Sequence, residues 1–313
     1  MSEQLGLFAS LRATEKLPGH IQILPAHGAG SACGKSLGAI PTSVLGYERH
    51  NNGALRQAMS GDEDLFVGEI LAGQPAPPRY FARMKIENKT GPALLPDGKL
   101  PEPRRLAPDE ISEFVSGEGF ENVALDFRAD RGAFMKCHLV GALWAPLADG
   151  RLTVVAGSYL EADTKLLLVV NDESEVEEAV RQLVRIGMDQ IIGWIPVEEA
   201  NQGAETQELK RIVTVELGQA LSDHVGAPVL DVRSAEEYAV GHVRGATNIA
   251  HTRLAVRLEE LPVGDPLFVH CGSGVRAIMS VPFLARTGRE VVYVDGAFGD
   301  LPAELIADKG RPD

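Results

Sequence analysis

The sequence predicts an α/β protein in which two parallel-sheet domains follow one another after a shorter α/β segment. Three observations predict it. From residue 109 onward, short apolar runs (VALDF, LLLVV and IIGW, then PVLDV, LFVH and VVYV) alternate with helix-like stretches. That is the rhythm of βα units around a parallel sheet. The same stretch repeats itself in order. Leu125-Asp126-Phe127-Arg128 returns as Leu230-Asp231-Val232-Arg233, and Cys137-His138-Leu139-Val140-Gly141-Ala142 returns as Gly241-His242-Val243-Arg244-Gly245-Ala246. The offsets, 105 and 104 residues, are one period, as tandem domains require. Finally, residues 72–108 hold eight prolines. So many missing N–H groups predict a connecting arm without a helix or a central strand. The chain thus divides into 1–71, the arm 72–108, a first repeat 109–200 and a second repeat 208–308.

Composition narrows the function. A chain of 313 residues with 44% hydrophobic side chains can bury a core throughout, which excludes global disorder. No run approaches 18 apolar residues, and the opening MSEQLGLFASLRATEK lacks a basic and then apolar leader, so a cytoplasmic protein is expected. The net charge of −14 is uneven: residues 1–105 carry 12 Lys/Arg against 10 Asp/Glu, and the remainder 18 against 34. Such a surface repels nucleic acid and anionic membranes. Three scattered cysteines, Cys33, Cys137 and Cys271, are too few for a disulfide framework or a zinc ribbon. They point to reactivity at one of them.

Cys271 is that one. Leu267-Phe268-Val269-His270 reads as a buried strand, CGSGVR follows at once, and apolar residues at 275, 278, 279 and 283 have helical spacing. Cys271 therefore stands at the C-terminal end of a parallel strand, where open α/β sheets bind ligands. Gly272 and Gly274 let the loop curl so that the backbone N–H groups of Gly272, Ser273, Gly274 and Val275 face one spot. The following helix N-terminus and the Arg276 guanidinium add positive potential there. A thiolate in such a nest can attack a sulfur donor and hold the resulting anionic persulfide.

Residues 228–301, with LDVR, the Glu236-Glu237-Tyr238 helix start, GHVRGATNI, the CGSGVR loop and VDGAFGDL, resemble a rhodanese domain over nearly its whole length. The resemblance implies that Cys271 carries sulfur, that residues 272–276 surround the persulfide, and that Asp231, Arg233 and His242 are structural supports. Phosphatases that share this fold have a loop one residue longer; four residues between Cys271 and Arg276 favour a sulfur atom over a phosphate group. Arg244, Arg276 and His270 are candidates for donor contact, although strand alternation turns His270 away from Cys271. The implied partners are small sulfur-containing anions and thiols. Thiosulfate, a glutathione persulfide or a polysulfide would be the donor, and cyanide, sulfite or a thiol the acceptor.

The first repeat lacks this chemistry. Alignment places Asp172 at the position of Cys271 and Glu177 at that of Arg276, within an acidic NDESEVEE stretch that would expel an anion. Ser174 and Glu177 have the spacing of a capping box, so the segment reads as a plain helix start. This copy is expected to be structural or to dock a partner, with Cys137 a packing residue.

In the first hundred residues, Ala29 through Ser36 match A-x-x-x-x-G-K-S, but Pro41 interrupts the helix that a nucleotide-binding loop needs. PAHGAGSACGKSLGAIPTSVLGYERHNN, with PPRYFARMKIEN, instead resembles the C-terminal end of the metallo-β-lactamase-fold domain in bacterial persulfide dioxygenase–rhodanese fusion proteins. The resemblance places His27 in the metal-site region. The H-x-H-x-D-H motif that supplies most ligands is absent, and one imidazole cannot hold a catalytic iron or zinc. No metal is therefore expected unless further N-terminal sequence supplies ligands. The segment reads as a remnant or as the distal part of a longer protein, with apolar surface suited to a homodimer or a complementing metallo-β-lactamase-fold chain. The leading expectation is a sulfurtransferase acting through Cys271. The alternatives are a metal-dependent dioxygenase or hydrolase completed by missing sequence, and a non-catalytic sulfur-sensing module.

Overall fold

The computed structural model describes residues 2–25, 42–72, 74, 76–115 and 118–307. The P-loop-like stretch, His27 and Cys33 lie outside the described residues. The chain divides into two compact units, Met1–Pro77 and Pro78–Asp313.

In the first unit, helices Ser2–Ala13, Leu45–Asn51, Gly53–Ser60 and Glu63–Leu71 accompany a short antiparallel pairing of Gln22–Ile23 with Ser43–Val44. Asn52 and Asp62 start two of the helices by accepting from the N–H groups of Leu55 and Leu65, each satisfying an orphan donor. Phe8, Ala58 and Phe66 form the small core.

The second unit holds both repeats. The first builds a sheet from β1 (Arg104–Arg105), β2 (Asn122–Asp126), β3 (Leu143–Trp144), β4 (Lys165–Val170) and β5 (Ile191–Pro196). The second uses β6 (Arg211–Val213), β7 (Val229–Asp231), β8 (Thr247–Asn248), β9 (Leu267–His270) and β10 (Val291–Asp295). The strand orders, β1-β5-β4-β2-β3 and β6-β10-β9-β7-β8, are the same, and every pairing is parallel. Central strands β4 and β9 are buried along nearly their whole length, as expected of a sheet covered on both faces. The helices are α1 (Tyr80–Thr90), α2 (Arg131–Lys136), α3 (Arg151–Tyr159), α4 (Glu175–Arg185), α5 (Val197–Gly203), α6 (Leu217–Asp223), α7 (Ala235–Val240) and α8 (Val275–Ala285).

The repetition extends to side chains. Arg128 grips Asp126 and donates to the Cys137 carbonyl, as Arg233 grips Asp231 and donates to that of Gly241. His138 stacks on Phe134, and His242 on Tyr238. Each buried Arg–Asp pair ties a strand end to the next helix end, with further hydrogen bonds offsetting desolvation.

Three expectations are corrected. The arm does contain a helix: prolines crowd its two ends, but YFARMKIENKT between them has none, and it forms α1. Pro101 and Pro103 precede β1, which is an edge strand and so tolerates nearby prolines. The alignment of the first repeat also shifts. Asp126 pairs with Val169 as Asp231 pairs with His270, so buried Val170, not Asp172, takes the place of Cys271. By the same offset Glu175, not Glu177, stands at the position of Arg276. The capping box does not form either: Ser174 makes no side-chain cap. Instead Asp172 accepts from the Ser174 N–H, and Glu175 reaches back to the Asn171 N–H. Glu177 pairs with Arg181 one turn on.

The two repeats share one apolar core. Phe283 of α8 stacks on Tyr159 of α3 (4.6 Å between ring centres), and the Tyr159 hydroxyl lies 3.0 Å from Ser280 Oγ. The buried Arg286 guanidinium donates to the carbonyls of Gly119 and Gly141 at 2.7 Å and of Asn122 at 3.0 Å. Helix α8, which follows the Cys271 loop, is thereby fastened to the first repeat.

Candidate functional site

Strand β9 ends at His270 and α8 begins at Val275, so Cys271 opens a tight strand-to-helix loop. Its side chain is only 1% exposed, and Sγ accepts from the Ala277 N–H at 3.4 Å. Gly274 is the glycine that the loop requires. Gly274 has φ +83°, and a Cβ there would stand 2.5 Å from the Tyr293 hydroxyl. A Cβ on Gly272 would stand 2.9 Å from Arg276 Nη2.

The carbonyls of Gly272, Ser273 and Gly274 are each engaged. That of Gly272 accepts from the Phe298 N–H (3.0 Å) and that of Ser273 from Arg131 Nη1 (3.2 Å). That of Gly274 accepts from the Ile278 N–H (3.0 Å), with the Tyr293 hydroxyl 3.1 Å away. In a planar trans peptide the next N–H points opposite to the carbonyl. The N–H groups of Ser273, Gly274 and Val275 are therefore turned away from these partners. Among the described residues, no protein acceptor meets the N–H groups of Gly272, Ser273, Gly274, Val275 or Arg276. The loop is a cluster of backbone donors at a helix N-terminus beside one thiol, an arrangement that can hold a small anion.

Arg276 is less free than the sequence suggested. Its guanidinium forms a two-pronged pair with Glu237 (Nη1–Oε2 2.5 Å, Nη2–Oε1 2.6 Å). The pairing holds the Glu237 carboxyl down to about 2 and raises Arg276 further above its usual range. Glu237 also closes a capping box with Ser234 at the start of α7, so one carboxylate sets both the helix start and the direction of Arg276. The Ser-x-x-Glu spacing was the available signal for it. His251 lies beside this pair. Burial, reinforced by the Arg276 charge, pulls it down to about 4 and keeps it neutral.

The structure places the other sequence candidates as follows. Asp231 and Arg233 form a buried pair beneath the loop, and the Arg233 guanidinium sits 3.7 Å over the Phe298 ring. His242 stacks on Tyr238 and its Nδ1 lies 3.0 Å from the Tyr238 carbonyl. His270 is buried against Phe298 with its Nε2 3.7 Å from Asp231. Arg244 reaches the carbonyl of Ile306 in the C-terminal segment. Four neighbours were not foreseen: Arg131, Tyr293, Asp295 and Phe298. Arg131 comes from the first repeat, 142 residues before the carbonyl it holds, a separation that no local pattern spans.

A metallo-β-lactamase-type metal needs about three converging ligands. Among the described residues, no three His, Cys, Asp or Glu side chains converge in this way, and His27 lies outside them. The described residues do not fit such a centre. No helix among them is long and apolar enough to cross a membrane.

Comparison with known proteins accords with this geometry. The rhodanese-like domain family matches residues 214–301. The thiosulfate sulfurtransferase GlpE of Pseudomonas fluorescens (strain SBW25) is 34% identical over 109 residues, covering 33% of this chain and 98% of that protein. The uncharacterized protein YqhL of Bacillus subtilis (strain 168) is 30% identical over 84 residues, 26% of this chain and 67% of that protein. In fold, the chain matches a metallo-β-lactamase of Staphylococcus aureus subsp. aureus COL with a TM-score of 0.50 and 34% identity. The match covers 62% of this chain and spans half the length of that protein, in keeping with a metallo-β-lactamase-like segment joined to rhodanese repeats. With a cysteine loop of this geometry, and 34% identity across nearly all of a thiosulfate sulfurtransferase, the chain belongs to the rhodanese family.

Proposed function

We propose that the protein is a sulfurtransferase that moves sulfane sulfur from a small anionic donor to a nucleophilic acceptor through a persulfide on Cys271. The observation that carries this reading is the loop itself: the carbonyls of Gly272, Ser273 and Gly274 are engaged, and among the described residues the N–H groups of Gly272 through Arg276 have no protein acceptor in the loop that Cys271 opens. The donor N–H groups suit a terminal persulfide sulfur, which bears negative charge. With thiosulfate, the Cys271 thiolate attacks the outer sulfur. The new Sγ–S bond forms as the donor S–S bond breaks, and the electron pair leaves with sulfite. An acceptor such as cyanide then attacks the terminal sulfur, and the pair of the broken Sγ–S bond returns to Cys271. No net oxidation occurs and no cofactor is needed.

The setting proposed is the cytoplasm, with small sulfur anions and thiols as partners. Exposed apolar side chains in the first unit, Leu24, Tyr47, Leu65 and Leu71, support association with a second copy or a metallo-β-lactamase-fold chain. Sedimentation as a lone monomer, even with such a chain added, would contradict that part. The activity is tested by thiocyanate formation from thiosulfate and cyanide: steady turnover in the wild type, abolished in Cys271→Ser, is expected. Equal rates in the two proteins would refute it.

A further inference from the structure

The first repeat has Val170 where the second has Cys271, yet it touches the active loop. Arg131, the first residue of α2, donates from Nη1 to the Ser273 carbonyl (3.2 Å), and its Nη2 stands 3.2 Å from Asp295 Oδ1 at the end of β10. Arg211 of β6 approaches the other oxygen of the same carboxylate at 3.2 Å. The Tyr293 hydroxyl donates to Asp295 Oδ1 at 2.8 Å. One carboxylate thus serves two guanidinium groups, which leaves one positive charge over. Asp130, beside Arg131, is turned to its own helix and accepts from the N–H groups of Gly132 and Ala133. The Arg276 charge is matched by Glu237. The excess charge nearest the loop is therefore supplied by Arg131 and Arg211, in a protein whose net charge of −14 repels anions at long range.

We infer that Arg131 of the first repeat is a positioning and specificity residue of the active loop. It holds the Ser273 carbonyl so that the following N–H faces the thiol, and its charge favours anionic over neutral reactants at Cys271. This rests on the sulfurtransferase reading for the identity of the anion, but not for the charge selectivity itself. It also gives the first repeat a reason to be fused to the second and fastened to α8: a guanidinium must be presented at fixed distance to a loop in another domain.

The test compares wild type, Arg131→Gln and Arg131→Lys in the full chain by two readouts. The first is the rate at which Cys271 displaces iodide from iodoacetate and from iodoacetamide, read on the Cys271 peptide by mass spectrometry. The second is the rate of sulfur uptake from thiosulfate. The inference expects the iodoacetate-to-iodoacetamide ratio to fall about three- to tenfold in Arg131→Gln. Uptake from thiosulfate should slow by a similar factor, Arg131→Lys should keep the ratio near that of wild type, and the differences should shrink in high salt. An unchanged ratio in Arg131→Gln, including one where both reagents slow equally, would overturn it. If wild-type Cys271 takes up no sulfur, the sulfurtransferase reading fails, while the alkylation ratio still decides the role of Arg131.

Discussion

Gly274 carries the tightest constraint at the site. Its φ of +83° and the Tyr293 hydroxyl 2.5 Å from a hypothetical Cβ leave no room for a side chain. Gly274→Ala should cost about 1–3 kcal/mol of stability and most of the sulfur uptake, because the loop must shift to relieve the contact. Denaturant midpoints and uptake rates check both; wild-type values for each would contradict this account of the loop. Glu237 offers a second test. Its carboxyl, held to about 2 by Arg276, should titrate back near the ordinary 4.5 in Arg276→Met, as followed by NMR. Because the folded value is depressed, the ion pair contributes above pH 4.5 and is lost as the pH falls from there towards about 2. Much of this was legible in the sequence: the strand–Cys-Gly-x-Gly-x-Arg spacing, taken with Asp231, Arg233 and the Gly241–Ala246 stretch upstream, singled out Cys271 and Arg276 as candidates. The pairing of Arg276 with Glu237 was not, because it joins two helices through residues 39 positions apart, and periodicity says nothing of which charges meet.

The helix that follows the loop shows how the two repeats act as one body. Arg286 at the end of α8 is 2% exposed and satisfies carbonyls of the first repeat. Burial pulls its pKa down to about 10. Arg286→Met would leave those carbonyls unsatisfied and should lower stability by about 3 kcal/mol or more, read by urea denaturation. A change of about 0.5 kcal/mol or less, typical of surface sites, would contradict a fastened interface. At this scale the repeats and their β-strands could be read from alternating apolar runs. The helix within the proline-rich arm could not, because overall proline count hid the proline-free stretch Tyr80–Thr90. The misplaced Asp172 had a similar origin. Strand β4 runs one residue further past its pairing with β2 than β9 does past its pairing with β7, and only strand pairing fixes where the strand ends.

The whole molecule is acidic, yet its acid sensitivity should begin with histidines. His138 and His251 are each pulled down to about 4, chiefly by burial. They are neutral in the folded state, whereas an unfolded chain protonates them near 6.5. Stability that they permit at pH 7 is therefore lost as the pH falls from about 6.5 to about 4, and no further loss from them follows below that. A drop of a few kcal/mol in unfolding free energy between pH 7 and pH 4.5 is expected. A flat profile over that window would contradict the burial of both rings. The tandem architecture was legible from the 104- and 105-residue offsets, but the contribution of one repeat to the other's loop required coordinates.

The most direct measurement is the intact mass of the protein after mixing with thiosulfate, wild type beside Cys271→Ser. The account predicts a gain of one sulfur atom in the wild type alone, removed again by cyanide. No gain in the wild type, or an equal gain in Cys271→Ser, would contradict a persulfide carried on Cys271.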